Sequence, residues 1–309
     1  MEEMTYQNTV KIRQAKFRKE NPSLFNDDQI PNKGHDYILQ DGRNNIYPKI
    51  REDVIEYFEE NEISWWQGKP VPHMNSSQIA CVNHLFLLRH DHDAVLSIAK
   101  NASGLDLIDV VKLNCDKKPQ YISFEVVSTN DLLNEGKRTR GRNCTSVDAA
   151  VIGIDRNGER WLLPIEWKYT ESYGNSCDKT DKGRPDHYRE YIATSSSLKS
   201  DEESMKIYFW EPFYELMRQT IWAEKICLNK ESELLGCDHF RHINVIPKEN
   251  TNLLDFKYKI SGKNLLETWR NSLKDESSYV MIGPEELMRP ISNCKQYSSL
   301  VNYLESRYW

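Results

Sequence analysis

The sequence predicts a mixed α/β fold, in which a central β-sheet carries helices on its faces. Three stretches rich in apolar and β-branched residues are typical of strands, at residues 121–127, 146–154 and 161–169. A helical spacing of apolar residues precedes these runs from residue 76, and another follows them at residues 212–228. A short apolar run at residues 243–246 completes the order helix, three strands, helix, strand.

The first core helix begins at two serines, because Ser76 and Ser77 can cap a helix N-terminus. Its apolar positions follow the helical repeat and comprise Ile79, Val82, Leu85, Phe86 and Leu88. A second helix is expected from residue 93 to about residue 100. The last two of the three strands are joined by a short polar segment at residues 155–159, which predicts a hairpin.

The chain divides into a core with an extension at each end. Polar residues 1–75, punctuated by prolines, are expected to form an N-terminal extension packing on a core at residues 76–250. Residues 251–309 are expected to form a C-terminal α/β extension of the same domain. Further predicted elements are helices at 6–19, 51–61, 262–274 and 297–307, a strand at 279–282 and a long loop at 174–205.

Composition limits the class of protein. No segment approaches the roughly 18 consecutive apolar residues of a membrane span, and the start Met1-Glu2-Glu3-Met4 lacks the pattern of a secretory signal. A cytoplasmic protein with no membrane segment is therefore expected. The net charge of −6 argues against a chain that coats nucleic acid along its whole surface. Any DNA contact must be a local basic patch.

Several other chemistries lack support. The seven cysteines are odd in number and form no C-x-x-C pair, which argues against a disulfide framework and a cysteine zinc site. The chain has no G-x-x-x-x-G-K-[ST], G-x-S-x-G or H-E-x-x-H motif. The sequence therefore offers no motif that would indicate a nucleoside triphosphatase, a serine hydrolase or a zinc protease.

The residues that carry chemistry lie on the predicted hairpin. Glu166 and Lys168 are two positions apart on one strand, so they project from the same face. Whether Asp148 joins them depends on the turn. A two-residue turn would set Asp148 opposite Trp167 and place it on the other face, whereas a three-residue loop at 156–158 sets it opposite Glu166. We expect the three-residue loop.

Carboxylates this close repel each other, and a buried lysine beside them is costly unless it is paired. A divalent cation, Mg²⁺ or Mn²⁺, would explain the arrangement. Lys168 would then orient a water molecule or screen charge in the transition state. The alternative is an exposed ion pair between Glu166 and Lys168, but the apolar segment WLLPIEW favours burial.

The segment TSVDAAVIGIDRNGERWLLPIEWK resembles the core signature of the PD-(D/E)XK nuclease superfamily, whose fold is restriction-endonuclease-like. The element order matches from about residue 76 to residue 247, a little over half of the chain. The resemblance implies that Asp148, Glu166 and the main-chain carbonyl of Trp167 bind the metal. It also implies that Lys168 assists the attacking water and that Gln219, on the following helix, supports the site.

The sequence departs from this family in two places. The first helix of the family often contributes a glutamate, but residues 76–89 contain no acid, and their polar members include Gln78 and Asn83. Glu125 is expected to replace that glutamate as a metal ligand, with Glu135 as the alternative. Val147 stands where the family has a proline.

A basic cluster just before Asp148 is the candidate DNA-binding segment. It is predicted to contact phosphates, with a solvated loop as the alternative, and consists of Lys137, Arg138, Arg140 and Arg142. The leading hypothesis is a Mg²⁺-dependent nuclease that hydrolyses phosphodiester bonds in DNA. The alternative is a catalytically silent module of the same fold that binds nucleic acid or a protein partner. The oligomeric state is left open, with a homodimer as one option.

Overall fold

The computed structural model describes residues 4–25, 34–65, 68–174, 178–181 and 183–309. Within these residues, a seven-stranded mixed sheet lies between helices on both faces, which confirms the predicted fold class. The strands are β1 (Leu107–Val111), β2 (Ser123–Val126), β3 (Val147–Asp155), β4 (Arg160–Trp167), β5 (His239–Phe240), β6 (His242–Val245) and β7 (Tyr279–Ile282). The helices are α1 (Tyr6–Glu20), α2 (Arg51–Glu60), α3 (Ser77–Leu85), α4 (His92–Ser103), α5 (Arg184–Thr194), α6 (Glu202–Ile207), α7 (Phe213–Leu228), α8 (Thr251–Leu254), α9 (Leu265–Ser272), α10 (Pro284–Met288) and α11 (Ser298–Arg307).

The sheet joins an antiparallel half to a parallel half, in the order β1, β3, β4, β6, β7. Strand β3 is antiparallel to β1, β2 and β4, whereas β5 and β6 run parallel to β4, and β7 runs parallel to β6. Both β1 and β2 pair with β3, one beside each half of its length. They act as one edge strand interrupted by residues 112–122.

Side chains alternate between two cores, one on each face of the sheet. On β4, Leu163, Ile165 and Trp167 belong to the core beneath α1 to α4, α10 and α11. Leu162 belongs to the opposite core, which is covered by α5, α6, α7 and α9. Because positions along a strand alternate, Glu166 projects toward the α7 face.

A buried arginine ties the two ends of the chain together. Arg307 on α11 has no exposed surface, and its guanidinium donates to Gln14 Oε1 at 3.0 Å and to the Asn45 carbonyl at 2.8 Å. It also contacts the Tyr303 hydroxyl. Residues before position 75 therefore share a core with the C-terminal helix, while the residues after position 250 supply the edge strand β7.

Most predicted elements are confirmed within two or three residues, including the helix capped by Ser76, whose hydroxyl accepts from the Ile79 N–H. The prediction of a long loop at residues 174–205 is wrong, because this stretch contains α5 and most of α6. The buried residues of α5, Tyr188 and Ile192, are one turn apart within a charged sequence, so the helical signal was weak. Residues 175–177 and 182 lie outside the described part.

No helix in the described ranges combines the length and the apolar character needed to cross a bilayer. The cysteines in these ranges carry free thiols, and Cys177 lies outside them.

Candidate active site

The turn between β3 and β4 sets the position of Asp148. Gly158 has a left-handed backbone, with φ of 81°, and its N–H donates to the Asp155 carbonyl at 3.0 Å. The Asp155 N–H donates to the Glu159 carbonyl at 3.1 Å, which closes a loop of three residues. The strands pair Ile154 with Arg160 and continue in this register. The predicted three-residue loop is confirmed, and Asp148 lies opposite Glu166.

Polar residues form a row across four neighbouring strands. Asp148 is flanked on β2 by Glu125, because the residues on either side of Glu125 pair with those on either side of Asp148. Glu166 lies on the other side of Asp148, and Asn244 on β6 pairs with Glu166. We call Glu125, Asp148 and Glu166 the acid row.

Glu125 has an unusual backbone for a strand residue. Its φ is 48°, and the neighbouring Phe124 and Val126 consequently belong to cores on opposite faces. A left-handed non-glycine residue of this kind costs about 1–3 kcal/mol and persists only where its surroundings hold it. Arg140 does so, since its Nε donates to the Glu125 carbonyl at 3.2 Å and its Nη2 to the Phe124 carbonyl.

Helix α3 supports the same acid. Gln78 Nε2 donates to Glu125 Oε1 at 2.6 Å, so an amide on the first helix holds the carboxylate in place. Glu135, the alternative candidate, is engaged elsewhere. Its carboxylate accepts from Arg218 at 2.9 Å, from the Tyr188 hydroxyl at 2.6 Å and from Thr145. Of these two candidates, Glu125 is the acid that lies beside Asp148.

Glu166 and Lys168 form a buried ion pair, with side chains 7% and 9% exposed. Lys168 Nζ lies 2.7 Å from Glu166 Oε1 and 2.5 Å from Oε2 of Glu215 on α7. Gln219, one turn further along α7, donates from Nε2 to Glu166 Oε2 at 2.6 Å. Sequence reasoning missed Glu215, although its spacing of four from Gln219 places both on one helix face.

Burial and crowding shift the charges of the acid row. Burial, with a smaller contribution from the nearby Glu166, raises the pKa of Glu125 to about 7. Burial and Glu125 raise the pKa of Asp148 well above its usual range, while burial, Asp148 and Glu215 do the same for Glu166. The row therefore resists carrying three negative charges without a compensating cation.

Lys168 and Glu215 behave as a charged pair. Burial alone would lower the pKa of Lys168, but the Glu166 and Glu215 carboxylates outweigh it and raise that pKa well above its usual value. Burial alone would raise the pKa of Glu215, but Lys168 holds it below its usual value. Lys168 is therefore an ammonium at any physiological pH.

The backbone at Trp167 also touches the row. Its N–H donates to Asp148 Oδ2 at 2.7 Å, while its side chain packs on the opposite face against His84, with ring centroids 4.6 Å apart. The predicted role of the Trp167 carbonyl as a metal ligand stays a prediction.

The chemistry of the acid row fits a hard divalent cation, because it offers carboxylate oxygens, which Mg²⁺ and Mn²⁺ prefer. Protein groups contact both oxygens of Glu166, through Lys168 and Gln219, and one oxygen each of Asp148 and Glu125, through the Trp167 N–H and Gln78. Among the described residues, no three Asp, Glu, His or Cys side chains converge as a metal-binding group. The donor types of the acid row fit a divalent cation, and the Lys168 ammonium contacts one of its members, Glu166.

The basic cluster divides into two kinds of residue. Lys137, Arg138 and Arg142 are exposed, and their contact with phosphates stays a prediction. The prediction for Arg140 is corrected, because its side chain is only 12% exposed and its Nη1 lies 2.8 Å from the fully buried carboxylate of Asp116. Arg140 holds the backbone of Glu125 and is not available to a phosphate.

The mixed sheet between two helical layers, with Asp148 set opposite a Glu-x-Lys sequence, is compatible with the restriction-endonuclease-like class of folds. The model of a family described as Restriction Endonuclease associating with ARP matches residues 11–309, so the chain belongs to this family. The match includes both extensions as well as the core. No curated protein and no solved structure gave a match.

Proposed function

We propose that the chain is a Mg²⁺-dependent nuclease of the PD-(D/E)XK type that hydrolyses phosphodiester bonds in DNA, with Mn²⁺ as a substitute metal. The observation that carries the proposal is the acid row, three carboxylates on adjacent strands, with the Lys168 ammonium 2.7 Å from Glu166. Membership of a restriction endonuclease family supports the nuclease class.

Asp148, Glu166, Glu125 and the Trp167 carbonyl would hold the cation. When bound, the cation would supply Lewis-acid chemistry that activates water and neutralises charge on the phosphate. Lys168 remains protonated because Glu166 and Glu215 raise its pKa, so it stabilises negative charge or orients a water molecule and does not remove a proton. Gln219 fixes one oxygen of Glu166, at 2.6 Å, and so limits the rotation of that carboxylate.

DNA would approach over the segment that precedes Asp148. Lys137, Arg138 and Arg142 are exposed and follow β2, whose residue Glu125 belongs to the acid row. Three cations on one loop suit phosphate contacts, which position a duplex without reading its sequence. This assignment makes DNA binding dependent on salt, because each phosphate contact releases counterions.

The decisive experiment is a cleavage assay. Plasmid and single-stranded DNA are incubated with the full chain and Mg²⁺ or Mn²⁺, alongside Asp148→Asn and Lys168→Ala. Asp186→Asn is the matched control, because this acid lies on α5 with its side chain 84% exposed. We expect cleavage by the wild type and the control only. Cleavage that survives both site substitutions would reject this active site.

A second function is favoured by one observation. Lys168 forms ion pairs with Glu166 and Glu215, and no three metal-binding side chains converge in the described ranges. This arrangement is expected of a catalytically silent module. The family is described as associating with ARP, which suits a module that acts together with a partner. Absence of both cleavage and Mn²⁺ binding in the wild type would favour this alternative.

A further inference from the structure

We propose that Glu215 is a positioning residue that retains Lys168 when a metal ion occupies Glu166. The inference rests on the proposed function, since it assumes a cation at the acid row. Glu215 lies on α7, outside the Asp and Glu-x-Lys sequences on which the active-site assignment is based. Glu215 would determine whether the Lys168 ammonium occupies the metal-binding oxygen of Glu166 or lies beside it.

Lys168 has two carboxylate partners on two different elements. Its Nζ lies 2.7 Å from Glu166 Oε1 on the sheet and 2.5 Å from Glu215 Oε2 on α7. Glu166 Oε2 is already taken by Gln219 at 2.6 Å. Any cation that binds Glu166 at Oε1 must therefore compete with the Lys168 ammonium for the same oxygen.

The ammonium cannot leave the site by moving into water. Its side chain is only 9% exposed, and a buried charge without a partner is strongly unfavourable. A second anion within reach is therefore needed if Lys168 is to release Glu166 and stay in place. Glu215 meets this need, because it already contacts Lys168 and its own side chain is 32% exposed, at the edge of the site.

This arrangement predicts that Glu215 affects metal affinity more strongly when Lys168 is present, which independent effects of the two charges would not give. Without Glu215, Lys168 has Glu166 as its remaining close partner, so it competes more strongly with the cation. Without Lys168, Glu215 acts on the cation only through its own charge, so its removal should have a much smaller effect on metal affinity. The effect of Glu215 should therefore pass through Lys168, which a double-mutant cycle detects.

The test measures Mn²⁺ affinity by calorimetry on the full chain, with the metal alone as the probe. The variants are Glu215→Gln, Lys168→Met and the two combined. Glu211→Gln is the matched control, because Glu211 precedes α7 close to Glu215 and forms its ion pair with Lys179, at 3.7 Å, while Lys168 acts on it only from a longer distance. Thermal unfolding of each variant checks that the fold is kept, and Asp148→Asn locates the metal at the acid row.

We expect Glu215→Gln to weaken Mn²⁺ binding about tenfold in the wild-type background, as for loss of one hydrogen bond to a charged group. We expect less than about a twofold change in the Lys168→Met background and in the Glu211→Gln control. Equal losses in both backgrounds would overturn the inference and leave the proposed function intact, provided that Asp148→Asn abolishes binding. Absence of Mn²⁺ binding in the wild type would overturn both.

Discussion

Replacing Glu125 with glutamine should stabilise the metal-free protein above neutral pH. Burial raises the pKa of Glu125 from 4.5 to about 7, so the folded protein holds this proton more tightly than the unfolded chain. The stability that the protonated acid contributes is complete below pH 4.5 and is lost as the pH rises toward 7. The difference of about 2.5 pH units corresponds to about 3 kcal/mol of unfolding free energy.

Glutamine at position 125 cannot ionise, and its side chain has nearly the same shape as that of glutamate. Its carbonyl oxygen can still accept the hydrogen bond from Gln78, which is 2.6 Å long in the native chain. The variant should therefore be more stable than the wild type by about 3 kcal/mol at pH 8 and by less than about 1 kcal/mol at pH 5. Urea unfolding in the presence of a chelator, at both pH values, measures the two differences.

The control is Glu203→Gln, a substitution of an exposed acid on α6, which should change stability by less than about 0.5 kcal/mol at either pH. The same small change for Glu125→Gln at pH 5 and at pH 8 would refute burial as a cause of a raised pKa at this residue. The same variant should lose Mn²⁺ affinity, since an amide is a poorer ligand than a carboxylate. Opposite effects on stability and on metal binding are typical of a residue kept for function.

Three further predictions concern neighbouring residues. Arg140→Gln should destabilise the protein by about 3–5 kcal/mol in urea unfolding, because it leaves the buried Asp116 carboxylate without its cation. Gln219→Ala should lower metal affinity or cleavage roughly 10- to 100-fold with unchanged circular dichroism, since it frees one oxygen of Glu166. The triple variant Lys137→Ser, Arg138→Ser and Arg142→Ser should weaken DNA binding and flatten its salt dependence, and an unchanged salt slope would contradict this. Its stability should fall only by the loss of one hydrogen bond, from Arg138 to the Ser128 carbonyl.

The hairpin could be predicted from the sequence because its geometry is local. Once a glycine in a left-handed conformation closes a three-residue loop, counting along both strands sets Asp148 opposite Glu166. Strand β1 could not be found in this way. It is five residues long, includes the polar Asp109, and leaves Ile108 52% exposed at the sheet edge, so it lacks the apolar run of a buried strand.

The partners of the site depend on how distant elements dock. The spacing of Glu215 and Gln219 shows only that they share a helix face, and the docking of α7 on the sheet decides that this face meets Glu166 and Lys168. Likewise, composition cannot separate Arg140 from its basic neighbours. Its partner Asp116 lies 24 positions earlier, and only the folded chain brings the two together.

The segment 137–142 therefore has two separate physical tasks. Its interior member, Arg140, holds the left-handed backbone of Glu125, and Gly141 lets the segment lie close by. A Cβ at position 141 would lie 2.7 Å from the Ser64 carbonyl oxygen and 3.2 Å from Glu125 Oε2. The exposed members carry the positive charge that faces solvent. Because the two tasks fall on different residues of one short segment, interior substitutions should act on stability and on the acid row, and exterior substitutions should act mainly on DNA affinity.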